Sequence, residues 1–96
     1  MNQEQKLHLK KMAHHLKPVI LIGQKGLTDA VVAETDVALK AHECIKIKIS
    51  GWEKEDRHQI IQQLCQQLKA DFIDTIGHTS ILFRKNNESK SNRSTK

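Results

Sequence analysis

Apolar side chains recur at helical spacing in three segments of the chain, which predicts three amphipathic helices. The first extends from Gln3 to His15 and is stopped by Pro18, because the residue before a proline favours extended backbone. The second follows Thr28, a favourable N-cap residue, and continues to His42, and the third extends from Glu53 to Lys69. The residues expected on the buried stripes are Leu7, Met12, Ala13 and Leu16, then Ala30, Val31, Val37, Ala38 and Ala41, and then Ile60, Ile61, Leu64, Cys65 and Leu68.

Four shorter segments are rich in β-branched residues and are typical of strands. Val19 to Ile22 is uninterrupted and apolar, so we expect an interior strand that is covered on both faces. Cys44 to Ser50 alternates, with its isoleucines facing the core and its lysines on the opposite, exposed face. Phe72 to Ile76 and Thr79 to Arg84 are separated only by Gly77-His78, which predicts a hairpin.

The order of these elements is α-β-α-β-α-β-β, which predicts an α/β fold with a mixed four-stranded sheet packed with three helices. Residues 1–85 would form this domain. Asn86 to Lys96 contains no apolar residue, so we expect a disordered, polar, basic tail. No segment resembles a signal peptide, so we expect a cytoplasmic protein, and no apolar run is long enough to insert into a membrane. We also expect a monomer without a membrane partner.

The amino-acid composition indicates which class of partner the protein binds. The 96 residues carry a formal net charge of +5, which favours an anionic partner such as nucleic acid or an acidic membrane surface. Trp52, Phe72 and Phe83 are the only aromatic residues, which argues against a module that binds bases by stacking them on a platform of rings. Nucleic acid would therefore be held by its backbone and shape.

The turn Gly23-Gln24-Lys25-Gly26 lies between a predicted strand and the start of a predicted helix. Glycines at both ends allow a sharp turn and a close approach of the backbone to a phosphate, and Lys25 adds positive charge. The spacing matches neither a Walker loop nor a dinucleotide fingerprint. The same pattern also suits a plain connection between strand and helix, and this alternative stays open.

The charge distribution favours the binding interpretation. Residues 1–27 contain five lysines and one glutamate, a net charge of +4, whereas residues 28–45 contain one lysine and four acidic residues, a net charge of −3. Lys10, Lys11 and Lys17 lead directly into the turn and could extend a phosphate-binding surface. Lys46 and Lys48 could flank the same path or could keep an exposed sheet face soluble.

Catalytic and metal chemistry are poorly supported by the spacing of the candidate residues. None of the six histidines has a partner at the i, i+4 spacing that places two imidazoles on one ion. Cys65 lies on an apolar stripe, and Cys44 near His42 lacks an orienting third group. We therefore expect no catalytic residue, no metal site and no cofactor.

Several segments together resemble the CRM domain family, and within it the bacterial single-domain YhbY-type RNA-binding proteins. The resembling segments, which extend in order from about Leu7 to Lys85, are Ala13 to Pro18, Gly23 to Thr28, Ala41 to Lys48, Ile76 to His78 and Leu82 to Arg84. Cys44 stands where the family commonly has a larger apolar residue.

The resemblance implies a fold similar to the C-terminal domain of a bacterial translation initiation factor. It also implies RNA binding through the Gly-x-x-Gly turn, and a link of the bacterial members to precursors of the large ribosomal subunit. The expected protein is thus a non-catalytic assembly factor that contacts ribosomal RNA. The residues expected at the RNA are Gly23, Gln24, Lys25, Gly26, Lys10, Lys11, Lys17, Lys46 and Lys48. The alternative is an adaptor that docks on a ribosomal protein or an assembly factor through an exposed sheet face.

Overall fold

The computed structural model describes residues 2–86 and contains the predicted elements in the predicted order. The helices are α1 (Gln3–Ala13), α2 (Asp29–His42) and α3 (Lys54–Leu68), and the strands are β1 (Pro18–Ile22), β2 (Cys44–Ile49), β3 (Asp71–Ile76) and β4 (Thr79–Phe83). The predicted fold class is therefore confirmed. Most of the predicted tail lies outside the described residues; Asn86, its first residue, donates a backbone hydrogen bond to Glu43 Oε2 at 2.7 Å. No helix among residues 2–86 is long and apolar enough to cross a membrane.

The four strands form one sheet in the order β1-β2-β4-β3. β1 and β2 are parallel, whereas β4 is antiparallel to both β2 and β3. β1 is therefore an edge strand, and the prediction of an interior strand at Val19 to Ile22 is wrong. Ile20 and Ile22 are buried, but Val19 and Leu21 are 51% and 70% exposed. The reason is that α1 packs mainly on β2, β3 and β4, so helices cover β1 on one face only.

The core consists of two clusters, one on each face of the sheet. In the larger cluster, Ile45, Ile47 and Ile49 of β2 pack against α2 and α3, as their alternation predicts. In the smaller one, Leu9 and Ala13 of α1 cover Cys44, Ile73 and Ile81. The second face of β2 is thus partly covered, which corrects the expectation that it is simply exposed.

The predicted helix stripes are confirmed for α3 and need correction for the other two helices. In α3, Ile60, Ile61, Leu64 and Cys65 are buried. In α1, the inward residues are Leu9 and Ala13, and the predicted Leu7, Met12 and Leu16 are 52%, 51% and 40% exposed. Only this narrow strip of α1 is buried, and Leu16 lies beyond the end of the helix at Ala13.

The α2 stripe is also different from the prediction. Val31 and Ala38 pack against the larger cluster as predicted, but the fully buried residues are Thr35 and Leu39, and Ala30, Val37 and Ala41 are exposed. The Thr35 hydroxyl donates to the Val31 carbonyl at 2.7 Å, so the polar atom is satisfied inside the core. The many alanines and valines of α2 offer several apolar faces, and contact with the sheet selects one.

Three loops meet at one end of the sheet. The ends of β1 and β2 are connected by a hydrogen bond from the Ser50 N–H to the Ile22 carbonyl at 3.0 Å. The hairpin turn lies beside them, because the Ile49 N–H donates to the His78 carbonyl at 2.9 Å. Gly77 has φ +60°, which confirms the predicted turn chemistry of the hairpin. The Gly-x-x-Gly turn therefore shares this end of the molecule with the segment after β2 and with the β3–β4 turn.

Candidate nucleic-acid interface

The segment from Gly23 to Gly26 is a tight turn closed by a hydrogen bond from the Gly26 N–H to the Gly23 carbonyl at 3.0 Å. Gln24 and Lys25 occupy its two central positions, and both are exposed. Thr28 follows as the N-cap of α2, and its hydroxyl accepts from the Val31 N–H at 3.1 Å. The turn thus presents one amide and one ammonium side chain to solvent from a well-defined backbone.

The fold requires glycine at only one of the two glycine positions of the turn. Gly26 has φ +69°, and a Cβ atom there would lie 3.3 Å from Trp52 Cζ2, so both the backbone and the packing require glycine. Gly23 is exposed, its φ lies outside the left-handed region, and a Cβ atom there would meet nothing within 4 Å. The fold itself therefore requires no glycine at position 23.

Trp52 holds the turn in place. Its indole Nε1–H donates to the Gly23 carbonyl at 2.7 Å, while its six-membered ring lies against Gly26. The Arg57 guanidinium in turn donates to the Trp52 carbonyl at 2.7 Å. Gly51, with φ +85°, leaves room for the Gln24 side-chain stem, whose Cγ would lie 2.9 Å from an added Cβ. The backbone of the turn is therefore anchored to the segment after β2 and to α3.

Sequence analysis missed this role of Trp52. A signal was present, because Trp52 follows Gly51 just after a strand, as Gln24 follows Gly23. The ends of parallel strands that lie side by side meet at one edge of a sheet. Using that signal would have required knowing that β1 and β2 are neighbours.

Four of the predicted lysines lie along β1 and β2 and are here called the lysine stripe: Lys17, Lys46, Lys48 and Lys25. Lys46 is paired in register with Pro18, next to Lys17, and Lys48 is paired with Leu21. Lys25 follows in the turn, so the stripe extends for about 17 Å along the strands. The Lys46 ammonium donates to the His14 carbonyl at 3.5 Å, and the other three side chains are exposed.

The structure places the two remaining lysines apart from the stripe. Lys11 is exposed on α1, on the side opposite to Leu9 and Ala13. The Lys10 ammonium forms a salt bridge with Asp74 at 2.8 Å, and this hydrogen bond lowers the pKa of the Asp74 carboxyl. Because Asp74 belongs to β3, the charge of Lys10 is matched near the opposite edge of the sheet from the turn.

Acidic residues lie on the other side of the turn. Asp29 and Glu34 are exposed on α2, which packs on the face opposite to α1. The Asp36 carboxylate forms salt bridges with the Arg84 guanidinium at 2.8 Å and with the Lys40 ammonium at 3.4 Å. The turn therefore lies at the boundary between a basic and an acidic surface, and a polyanion would approach it from the side of the lysine stripe.

The two cysteines lie in the core. Burial raises the pKa of the Cys44 thiol and raises that of Cys65 to about 11, the opposite of the change that activates a nucleophilic cysteine. Among residues 2–86, no group of three or more His, Cys, Asp or Glu side chains is arranged to hold a metal ion.

Comparison with known proteins places this geometry in a family context. A family model described as the CRS1 / YhbY (CRM) domain matches residues 1–84. A relative in Pseudomonas aeruginosa, described as a probable RNA-binding protein, is 40% identical over 98% of this chain and 90% of its own length. A Haemophilus influenzae relative, described as an RNA-binding protein, is 42% identical over 94% of this chain and 91% of its own length. The solution structure of a hypothetical protein from Staphylococcus aureus superposes with a TM-score of 0.79 at 22% identity, over 88% of each chain, which supports the fold.

Proposed function

The chain belongs to the CRS1/YhbY (CRM) domain family, and from this premise we propose that it is an RNA-binding protein. It holds the sugar-phosphate backbone with the turn from Gly23 to Gly26 and with the lysine stripe. Lys11 is exposed on α1, apart from the stripe, and adds positive charge without belonging to this surface. Lys10 contributes less than the sequence predicts, because its ammonium is paired with Asp74. The protein is non-catalytic and needs no cofactor for this role.

The observation that carries the proposal is the contrast between the two glycines. Gly26 is explained by its positive φ and by Trp52, whereas Gly23 sits in open space with a backbone that other residues could adopt. A residue without a side chain, next to an exposed lysine and amide, suits the close approach of a phosphate to the backbone. The lysine stripe then supplies the charge that binds further phosphates along the same strand.

A charge reversal in the turn tests the proposal. We expect Gln24→Asp combined with Lys25→Glu to abolish RNA binding at moderate salt while the melting temperature stays within a few degrees of the parent. Both side chains are exposed, and both glycines keep their geometry. Lys25→Ala alone should lower the slope of log affinity against log salt by about one unit, if it neutralises one phosphate.

The companion variant Gly23→Ala tests the close approach itself. Its Cβ fits into open space, so folding stability should be unchanged or slightly higher, while RNA affinity falls. If the double reversal and Gly23→Ala both bind RNA as well as the parent, the turn is only a connector.

We further propose that the RNA belongs to precursors of the large ribosomal subunit, and that the protein assists their assembly in the cytoplasm as a monomer. The support for this finer step is the resemblance to YhbY-type proteins. Crosslinking in cells followed by sequencing of the attached RNA should recover large-subunit ribosomal fragments, and recovery of unrelated transcripts alone would contradict it.

One observation favours a second candidate function, an adaptor that docks on a ribosomal protein or an assembly factor. Val19 and Leu21 are exposed on an edge strand, and an edge strand offers unpaired backbone groups to a partner. Salt dependence separates the candidates. Binding to pre-ribosomal particles through phosphates weakens steeply between low and moderate salt, whereas docking through Val19 and Leu21 does not.

A further inference from the structure

A groove of about 910 Å³ lies between α3 and the β3–β4 hairpin, at the same end of the sheet as the Gly-x-x-Gly turn. Its walls are the first turns of α3 and the strands of the hairpin. The volume falls in the range of about 300 to 1,000 Å³ that is usual for small-molecule sites. None of the residues assigned above to the RNA backbone lines this groove.

The lining combines ring surfaces with a hydroxyl pair. The His58 and Phe72 rings are nearly perpendicular, with centroids 5.9 Å apart. Thr75 Oγ1 and Ser80 Oγ are hydrogen bonded to each other at 3.0 Å, across neighbouring strands. One hydroxyl hydrogen serves this bond, so the pair keeps a second hydrogen and further lone pairs for a ligand. A flat heterocycle with polar edges fits such a lining.

The rim carries both signs of charge. Lys54, Arg57 and Glu55 lie on the α3 side of the groove, and the exposed His78 lies on the hairpin side. Asp74 also lines the groove, but its carboxylate is bound by Lys10. The α3 rim therefore offers two cations against one carboxylate, which suits a ligand that joins a heterocycle to a phosphate.

The wall of the groove is connected to the turn by hydrogen bonds through Trp52. Arg57 lines the groove and donates to the Trp52 carbonyl, and the Trp52 indole donates to the Gly23 carbonyl. Two hydrogen bonds therefore connect the groove wall to the turn. The turn and the groove also share one end of the sheet, because the β3–β4 turn that lies beside the end of β2 contributes Gly77 and His78 to the groove lining.

We infer that this groove receives one unstacked nucleotide of the RNA strand held at the turn. The base lies against the His58 and Phe72 rings with its polar edge toward the Thr75 and Ser80 hydroxyls, and Lys54 meets its phosphate. This inference rests on the proposed function and deepens it, because it specifies the form of the RNA. A base inside a duplex is paired and stacked and cannot enter, so the protein selects single-stranded RNA.

The test compares a short single-stranded RNA containing all four bases with a fully paired duplex of the same sequence, at equal salt. The unaltered full chain should bind the single strand more tightly. His58→Ala combined with Thr75→Val removes one ring and one hydroxyl at exposed positions. Its affinity for the single strand should fall about tenfold, and its affinity for the duplex should stay within about twofold of the parent value.

Two controls keep the outcome interpretable. Gln66→Ala changes an exposed residue of α3 outside the groove lining and should bind both RNAs like the parent. Lys25→Ala should weaken binding to both RNAs. The inference is overturned if the His58 and Thr75 variant weakens both RNAs equally or neither of them, or if the parent prefers the duplex. A parent protein that binds neither RNA would instead overturn the proposed function.

Discussion

The hydrogen bond from Trp52 to Gly23 allows a prediction about how the turn from Gly23 to Gly26 keeps its shape. Trp52→Phe removes the indole N–H that donates to the Gly23 carbonyl and shortens the ring that lies against Gly26. The Gly23 carbonyl is exposed, so water replaces part of the lost bond, and a net cost of about 0.5 to 1 kcal/mol is expected. Loss of ring contact adds about 0.8 kcal/mol, comparable to one buried methylene.

The total, about 1.5 kcal/mol, converts into two measurements. For a domain of this size, it should lower the melting temperature by roughly 6 to 12 °C in a circular dichroism scan. If the lost stabilisation falls on the bound geometry of the turn, RNA affinity should drop by roughly tenfold, measured well below the melting transition. Fluorescence of Trp52, the only tryptophan, should also change when RNA is added to the parent protein.

A stability-matched control separates turn geometry from general destabilisation. Ile73→Val lies in the smaller core cluster, beneath α1, and should cost about 0.5 to 1.5 kcal/mol without changing RNA affinity. Trp52 has no specific role in shaping the turn for RNA if Trp52→Phe binds RNA like the parent, or if Ile73→Val weakens binding to the same extent.

Two further predictions concern the titratable groups. The hydrogen bond from Arg84 lowers the pKa of Asp36, so its stabilisation is present above about pH 4 and is lost as pH falls through the lowered value. In Asp36→Asn, the free energy of unfolding measured with urea should therefore fall less between pH 6 and pH 3 than it does in the parent. A pH profile identical to that of the parent would contradict this. Burial raises the pKa of Cys65 to about 11, so its thiol should react slowly with a thiol reagent at neutral pH. Cys65→Ser should destabilise the fold by about 1 to 3 kcal/mol, because it buries a hydroxyl, whereas rapid labelling of the native protein would show that the site opens.

Features that depend on residues close in sequence could be predicted well. The alternation in β2 assigns its isoleucines to the larger cluster, Thr28 caps α2, and Gly77 forms the hairpin turn. The turn from Gly23 to Gly26 was also identified, because its spacing and its place before a helix are local properties. The resemblance to CRM domains, which rests on such local segments in a fixed order, is confirmed by the family match over residues 1–84.

Errors arose where one residue had to be placed against distant ones. Val19 to Ile22 reads as an interior strand because all of its side chains are apolar, and only the strand order shows that it lies at an edge. The stripe of α2 was misassigned because its alanines and valines suit several faces. Thr35 became a core residue only because its hydroxyl bonds to Val31 and leaves its methyl group to pack.

The candidate interface shows the same difference between features of neighbouring residues and contacts between distant ones. Backbone preferences and residue counts are enough to predict the helix and strand segments, the glycine turn and the excess of positive charge before it. The folded arrangement is needed to show that Trp52, 29 residues away, anchors Gly23, and that Lys10 turns toward Asp74 instead of the lysine stripe. It also separated Gly26, which the fold requires, from Gly23, which it does not. The physical reason is that these contacts join segments brought together by strand pairing and core packing, and that arrangement is a property of the whole chain.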